Sequence, residues 1–465
     1  MEVNYTKQGL LDEEILTSER LSLLMEEKNY REAKEAISEV APQDIAEMFY
    51  ELDERYHSLA FRLLSKEQAA EVFVEMDAEL QEKLIERFSD RELAEILDEL
   101  YIDDTVDIIE EMPANVVKRI LKNSSGEDRA IINTILHYPK DSAGTVMTTE
   151  YVRFTGDMTV DEALLHIRRV AIDKETIYTC YVTDKDKRLL GIVTAKDLLI
   201  SDPDVLLEDI MDENVITVNT HDDKEEVAMT LDKYDFLAIP VVDNEERLVG
   251  IITVDDALDV IIEESEEDFA KMAAIMPTET PYLKTDVISI WKSRIPWLLI
   301  LMISSTISSA ILSGFEALLP AVLVLFVPMI MGTGGNSGGQ SSVTVTRSIS
   351  LGEVEFPDIF RVFWKELRIG VMCAVSLGVV TFLKVWLIDG LILGNEAVTL
   401  AVSVVVALSL ALTIIVAKII GATLPILAKR IGLDPAVMAS PLITTLVDAI
   451  SLIVYFFVAK GMLNI

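Results

Sequence analysis

Cysteine is almost missing from this 465-residue chain: Cys180 and Cys373 are the only two, one in each half. That excludes a disulfide framework and any zinc site built on cysteine. Histidine is nearly as scarce, and His57, His137, His166 and His221 all precede the long apolar runs, so no imidazole site is available there to a transition metal. The opening residues, MEVNYTKQGLLDEE, have neither a basic stretch nor an apolar core. They are not expected to act as a cleaved signal peptide, and the N-terminal part is expected to stay in the reducing cytosol. No nucleophile with a positioned base emerges, so an enzyme is the least favoured class.

Acid is abundant but unevenly spread. Net charge is −38, yet mean hydropathy is +0.34. From Asp286 onward 10 acidic residues meet 11 basic ones, which leaves 68 acidic and 29 basic residues in the first 285. So acidic a region repels nucleic acid and anionic lipid and draws cations; for any single carboxylate, solubility is the simpler role.

Three segments follow in order. Up to about residue 140, the phrases IAEMFYEL from Ile45, AAEVFVEM from Ala69 and LAEILDEL from Leu93 repeat every 24 residues with helical apolar spacing, which predicts a stack of short helices. From 141 to 262 a second unit occurs twice. Its copies open at Met147 and Met211, and each ends in a strand, GIVT from Gly191 or GIIT from Gly250, followed by an Asp and a new helix. An acidic helical stretch, 263–285, then leads to 286–465. There, five apolar runs are expected to span a membrane: Ile295–Leu312, Ala317–Met331, Leu367–Ile388, Val398–Ile420 and Pro435–Val458. Lysine and arginine cluster before the first run, between the second and third, and between the fourth and fifth. This pattern predicts a cytosolic N-terminus and an external C-terminus, with Lys460 a small violation.

The second run is short, about 22 Å at 1.5 Å per residue against a hydrocarbon core of roughly 30 Å. The glycine-rich MGTGGNSGGQSS behind it is therefore expected to be irregular backbone at membrane depth, with Gly334 and Gly335 supplying unusual dihedrals and Asn336 an oxygen ligand. A flexible cytosolic linker is the competing reading. Asp448, alone among acids in the fifth run and close to its middle, is a functional candidate by its cost there. A structural ion pair with Lys418 is the alternative. Asp434 of IGLDPAV reads as a helix cap, a group at the cytosolic mouth, or both.

The paired 141–262 units resemble tandem CBS domains. With PMIMGTGGNSGGQS, LDPA and TLVDAIS in the same order, nearly the whole chain resembles the MgtE family of magnesium channels and transporters. The resemblance implies an all-α superhelical N domain, an α/β CBS pair, a connecting (plug) helix and a five-span α-helical membrane domain. It further implies a homodimer in the lipid bilayer with a Mg2+ pore between subunits, Asp448 as its carboxylate and Asn336 beside it. Regulatory magnesium sites would map to Glu71, Asp103 and Asp107, to Asp223, Asp235 and Asp256, to Asp259, Glu264, Glu267 and Asp268, and to Asp434. ATP or another adenine nucleotide at the CBS pair is a further implication. One carboxylate per subunit suits a hydrated magnesium ion, although Co2+ and Mn2+ are discriminated weakly by such ligands. A membrane-anchored sensor without transport is the reading from another class, and Asp448 speaks against it.

Overall fold

Short helices that start every 12 residues build the first part of the chain. The computed structural model describes residues 16–277, 282, 285–316, 320–438 and 440–463; the opening MEVNYTKQGLLDEE and positions 317–319 of the second apolar run lie outside them. Ten helices run from α1 (Ser18–Glu26) to α10 (Gly126–Ile135), among them α3 (Pro42–Glu51), α5 (Lys66–Val74), α7 (Asp90–Leu97) and α8 (Ile102–Glu111). The 24-residue phrase falls on α3, α5 and α7, with one helix between each pair. Short side chains before the helices end the preceding turns: Ser65, Asp77, Ser89 and Ser125 each accept a hydrogen bond from a first-turn N–H. The stack is held by apolar faces, with Phe49, Phe61, Phe73 and Phe88 meeting edge-on or tilted at centroid distances of 5.1–6.3 Å.

Two small sheets follow. Strands β1 (Tyr151–Thr155), β2 (Thr176–Thr183) and β3 (Leu189–Thr194) pair in that order, and β4 (Val218–Asn219), β5 (Ala238–Val242) and β6 (Leu248–Thr253) repeat the topology, parallel then antiparallel. The two copies complete one another. Ile192 exchanges backbone hydrogen bonds with Asp212 at the start of the second copy, and Ile251 does the same with Thr148 at the start of the first. Glycine is required at each junction: a Cβ on Gly191 would sit 2.8 Å from the Asp212 carbonyl, and one on Gly250 2.8 Å from that of Thr148. Helix α11 (Val160–Val170) lies between β1 and β2, α12 (Ala195–Ile200) follows β3, and α13 (Lys224–Tyr234) lies between β4 and β5. The last strand runs into α14 (Val254–Met272), which carries the acidic stretch and ends before Pro277.

Among the described residues, five helices are long and apolar enough to cross a membrane. They are α15 (Val287–Glu316), the short α16 (Ala321–Val324) continuing into α17 (Val327–Ser350), α18 (Ile359–Leu383), α19 (Leu400–Arg430) and α20 (Ser440–Leu463). A π-helical segment, Lys384–Ile392, extends α18, and its i, i+5 spacing brings Lys384, which lies within the third apolar run, to Asp389 at 2.7 Å, so its charge is neutralised.

The glycine run differs from the sequence expectation. It is helical from end to end within α17, so the second span is not short, and positive φ among described glycines occurs only at Gly352, Gly394 and Gly432. The physical reason is packing. Each glycine costs a helix roughly 1 kcal/mol relative to alanine, but irregular backbone in a bilayer costs more. The missing side chains let α17 touch its neighbours: a Cβ on Gly421 of α19 would overlap the Gly338 carbonyl, one on Gly334 would meet Thr413 at 2.6 Å and Ser451 at 2.8 Å, and one on Gly335 would meet Thr444 at 2.7 Å. Close backbone approach between small residues is how membrane helices associate.

Gly421→Ala should therefore cost about 1–3 kcal/mol or more by forcing two backbones apart. Gly332→Ala, with no atom within 4 Å of the new methyl, should be neutral or stabilising. Thermal midpoints in detergent check both; equal midpoints for the two variants would refute close packing as the reason for these glycines.

Candidate ion path and acidic sites

Asp448 sits in α20 where α17 passes with glycine facing it. A Cβ on Gly335 would be 3.6 Å from Asp448 Oδ1, and Thr444 stands one turn earlier. The carboxylate is half-exposed overall, yet Oδ1 is enclosed and has no hydrogen-bond partner. The alternative ion pair with Lys418 is not formed. Lys418 Nζ donates instead to Ser341 Oγ at 3.2 Å, and Ser341 donates to Glu366 Oε2 at 2.7 Å. An enclosed acceptor with no donor invites a cation or water.

Helical geometry also reveals a feature that was missed. Gly332, Asn336, Gln340 and Thr344 recur every fourth residue on α17, with Arg347 beyond, and all are exposed. In a membrane-length helix, a polar stripe must face water, a lumen or another protein surface. The signal was present as a four-residue period, but it is visible only if the glycine run is read as helix.

Asp434 takes two bonds at once. Its Oδ1 accepts from the Ala436 N–H at 2.8 Å, capping a 3-10 turn, and its Oδ2 meets Lys271 Nζ at 2.7 Å. Asp434 precedes the 3-10 turn Ala436–Met438, and α20 starts only at Ser440, so Asp434 is not part of the helix that carries Asp448. Lys271 also meets Glu267 at 2.7 Å. Although burial opposes its charge, these two carboxylates raise its pKa above the ordinary lysine value. Asp268 accepts from Ser350 at 2.7 Å, and burial pushes its pKa up. Glu264 is half-buried on the same helix.

In the N-terminal part, acids converge. Asp103 is 7% exposed, and burial, then the charge of Asp256, pushes its pKa well above the carboxylate range. Burial and the same neighbour raise Asp104 to about 6 and Glu175 to about 7. Burial raises Asp256 to about 6 even though it accepts from Thr253 Oγ1 at 2.5 Å. One oxygen of Glu175 is enclosed and unpartnered. Sequence reasoning named Asp103 and Asp256 but missed Asp104 and Glu175, whose involvement depends on tertiary contact. Glu71, Asp107 and Asp259 are exposed. Asp223 caps α13 through the Glu225 N–H, and Asp235 ends that helix in the left-handed region at φ 53°. Among the described residues, no group of three or more His, Cys, Asp or Glu is arranged as a ready-made metal centre.

Five apolar spans among the described residues, a polar face on one of them and a carboxylate within another define a multi-span membrane protein with polar groups among its helices. Comparison with known proteins makes this particular. The profile of the MgtE divalent cation transporters matches residues 327–458, that of the MgtE intracellular N domain 40–141, and that of CBS domains 143–203 and 207–263. The magnesium transporter MgtE of Thermus thermophilus is 38% identical over 446 residues, 95% of this chain and 97% of that one. Its namesake from Bacillus subtilis is 33% identical over 96% and 97%. The crystal structure of the cytosolic domain of the Mg2+ channel MgtE in complex with ATP superposes with a TM-score of 0.50 at 38% identity, covering 52% of this chain and all of that one. The chain belongs to the MgtE family.

The acid cluster predicts an inverted pH response. Carboxylates whose pKa is raised on folding bind protons more tightly in the folded state, so stability falls as pH rises from the unfolded value through the folded one. Glu92, held down to about 2 by Arg62 and Ser89, has the opposite effect, but only in strong acid. In chelator, lowering the pH from about 7.5 to about 5.5 should raise the melting temperature, and Asp103→Asn should flatten that rise. A wild-type melting temperature that is flat or falls over this interval would show that the cluster is not under charge strain.

Proposed function

We propose that this protein is a homodimeric magnesium channel or transporter, with the α17 stripe and Asp448 lining the ion path. The observation that carries the reading is the enclosed, unpartnered Asp448 oxygen opposite Gly335. A second copy across a two-fold axis would enclose the stripe of Asn336, Gln340 and Thr344 and place two Asp448 carboxylates near one lumen. Magnesium dehydrates reluctantly and is held by few carboxylates through retained water, which suits small residues and amide oxygens around one acid per subunit. The close relatives' names support magnesium as the cargo.

In this reading, residues 1–140 form the helical N domain, 141–262 the CBS pair, 263–285 the connecting segment and 286–465 the pore domain. The N-terminus is cytosolic and the C-terminus external. Cytosolic magnesium closes the path by neutralising the acids of the first two domains and of α14. The buried, mutually raised carboxylates around Asp103 fit a hard cation by their donor chemistry, as do Glu264, Glu267, Asp268 and Asp434. ATP at the CBS pair follows from the nucleotide complex of the related domain. Lys271, between Glu267 and Asp434, already supplies one positive charge where a divalent ion would supply two.

Asp448→Ala should abolish Mg2+ uptake into proteoliposomes while leaving folding and dimerisation intact; uptake at the wild-type rate sinks the ion-path assignment. Parallel assays with Co2+ and Mn2+ define selectivity. Lys271→Gln should raise open probability in magnesium-free solution and shift inhibition by cytosolic magnesium to lower concentration. If the inhibition curve instead moves only to higher magnesium, Lys271 is a simple brace.

A further inference from the structure

Three buried polar side chains inside the membrane domain have no part in this scheme. Glu366 of α18 is 8% exposed, Lys418 of α19 6% and Ser341 of α17 3%. Lys418 donates to the Ser341 hydroxyl, and that hydroxyl donates to Glu366. An ammonium and a carboxylate taken out of water are costly unless they compensate one another and their hydrogen bonds are met.

A direct Lys418–Glu366 pair would join only α18 and α19. Routing the interaction through serine brings in a third helix. The hydroxyl's single proton goes to the carboxylate and a lone pair takes the ammonium N–H, so the serine needs one partner of each charge and each bond polarises the other. Rotation or sliding of α17 would break both at once. The surroundings are built to match. Ser341 lies three residues beyond Gly338, and Lys418 three before Gly421, so the chain of bonds sits one turn from the place where α17 and α19 touch. Gly370, one turn after Glu366, brings α18 onto α19: a Cβ there would be 3.4 Å from Ile415 Cα and 3.8 Å from Lys418 Cβ. On the same α17, six residues before Ser341, Gly335 faces Asp448.

We infer that Lys418, Ser341 and Glu366 form a charge-compensated tie that positions α17, and with it the Gly335–Asp448 contact, for ion passage. The inference rests on the reading of Asp448 as an ion-path carboxylate. These three are positioning residues, since none touches that carboxylate.

The test uses the full chain in proteoliposomes, with Cys180 and Cys373 replaced and spin labels on cysteines at the exposed positions Val343 of α17 and Leu446 of α20. Glu366→Gln and Lys418→Met alone should lower the melting temperature, because each strands a buried charge, and Glu366→Gln/Lys418→Met together should recover it. The double variant should still broaden the label-to-label distance and shift the magnesium concentration for half-maximal uptake by about threefold or more, the coupling expected within one bonded network. The exchange Glu366→Lys/Lys418→Glu preserves the serine bridge and should restore both readouts. A double variant with wild-type distance and half-saturation overturns the proposal, as does an exchanged pair that folds yet behaves like the neutral one. Should Asp448→Ala transport normally, the ion-path reading falls, while the label distance still decides whether the tie holds α17.

Discussion

The membrane domain depends on how closely two backbones can approach. Where Gly421 meets the Gly338 carbonyl there is no room for even a methyl group, and the other α17 contacts follow from that proximity. With α17 drawn against α19, its Gly334 and Gly335 come onto Thr413, Ser451 and Thr444, and its opposite side is left to Asn336, Gln340 and Thr344. One helix thus has a side made of absent side chains and a side made of polar ones. In lipid, helix pairs gain little from burying apolar surface, so contact area at short range must provide the attraction.

Charge is handled differently in the two halves. Asp448 apart, the membrane half balances charges inside its helices locally: Lys384 with Asp389, and Lys418 with Glu366 through a hydroxyl. Around Asp103 no such balance is struck, and burial with mutual repulsion lifts Asp104, Asp256 and Glu175 toward neutral pH. Such an arrangement is stable only to the extent that packing outweighs repulsion, and any bound cation adds to it. Helix α14 combines both habits, with Lys271 shared between two acids and Asp268 resting on a serine.

Much of this was legible in the sequence, for identifiable reasons. The 24-residue phrase marks α3, α5 and α7 because apolar period and chain period coincide there. The GIVT and GIIT strands announce a duplicated unit, and Asp448 stands out because an acid amid apolar residues has few bland explanations. The glycine run misleads because propensity describes an isolated helix, whereas here tertiary contact decides. That single error hides the Asn336–Gln340–Thr344 stripe. Glu175 and Asp104 were invisible for another reason, since nothing local in ETIY or IDDT signals that Asp256 will fold against them. The serine between Lys418 and Glu366 likewise joins positions far apart in the chain.

The reciprocal bonding of the duplicated units has a kinetic consequence. Thr148 finds its partner Ile251 about a hundred residues later, so neither unit can reach its final form until the closing strand of the other has been made, and such distant pairing slows folding. During synthesis β1 to β3 must wait as an incomplete sheet, with Met147 and Thr148 unmatched. The helical stack ahead of them, made of local contacts, has no such delay. Nascent chains should therefore acquire their order unevenly, helices first and the paired sheets only as ribosomes approach the first apolar span.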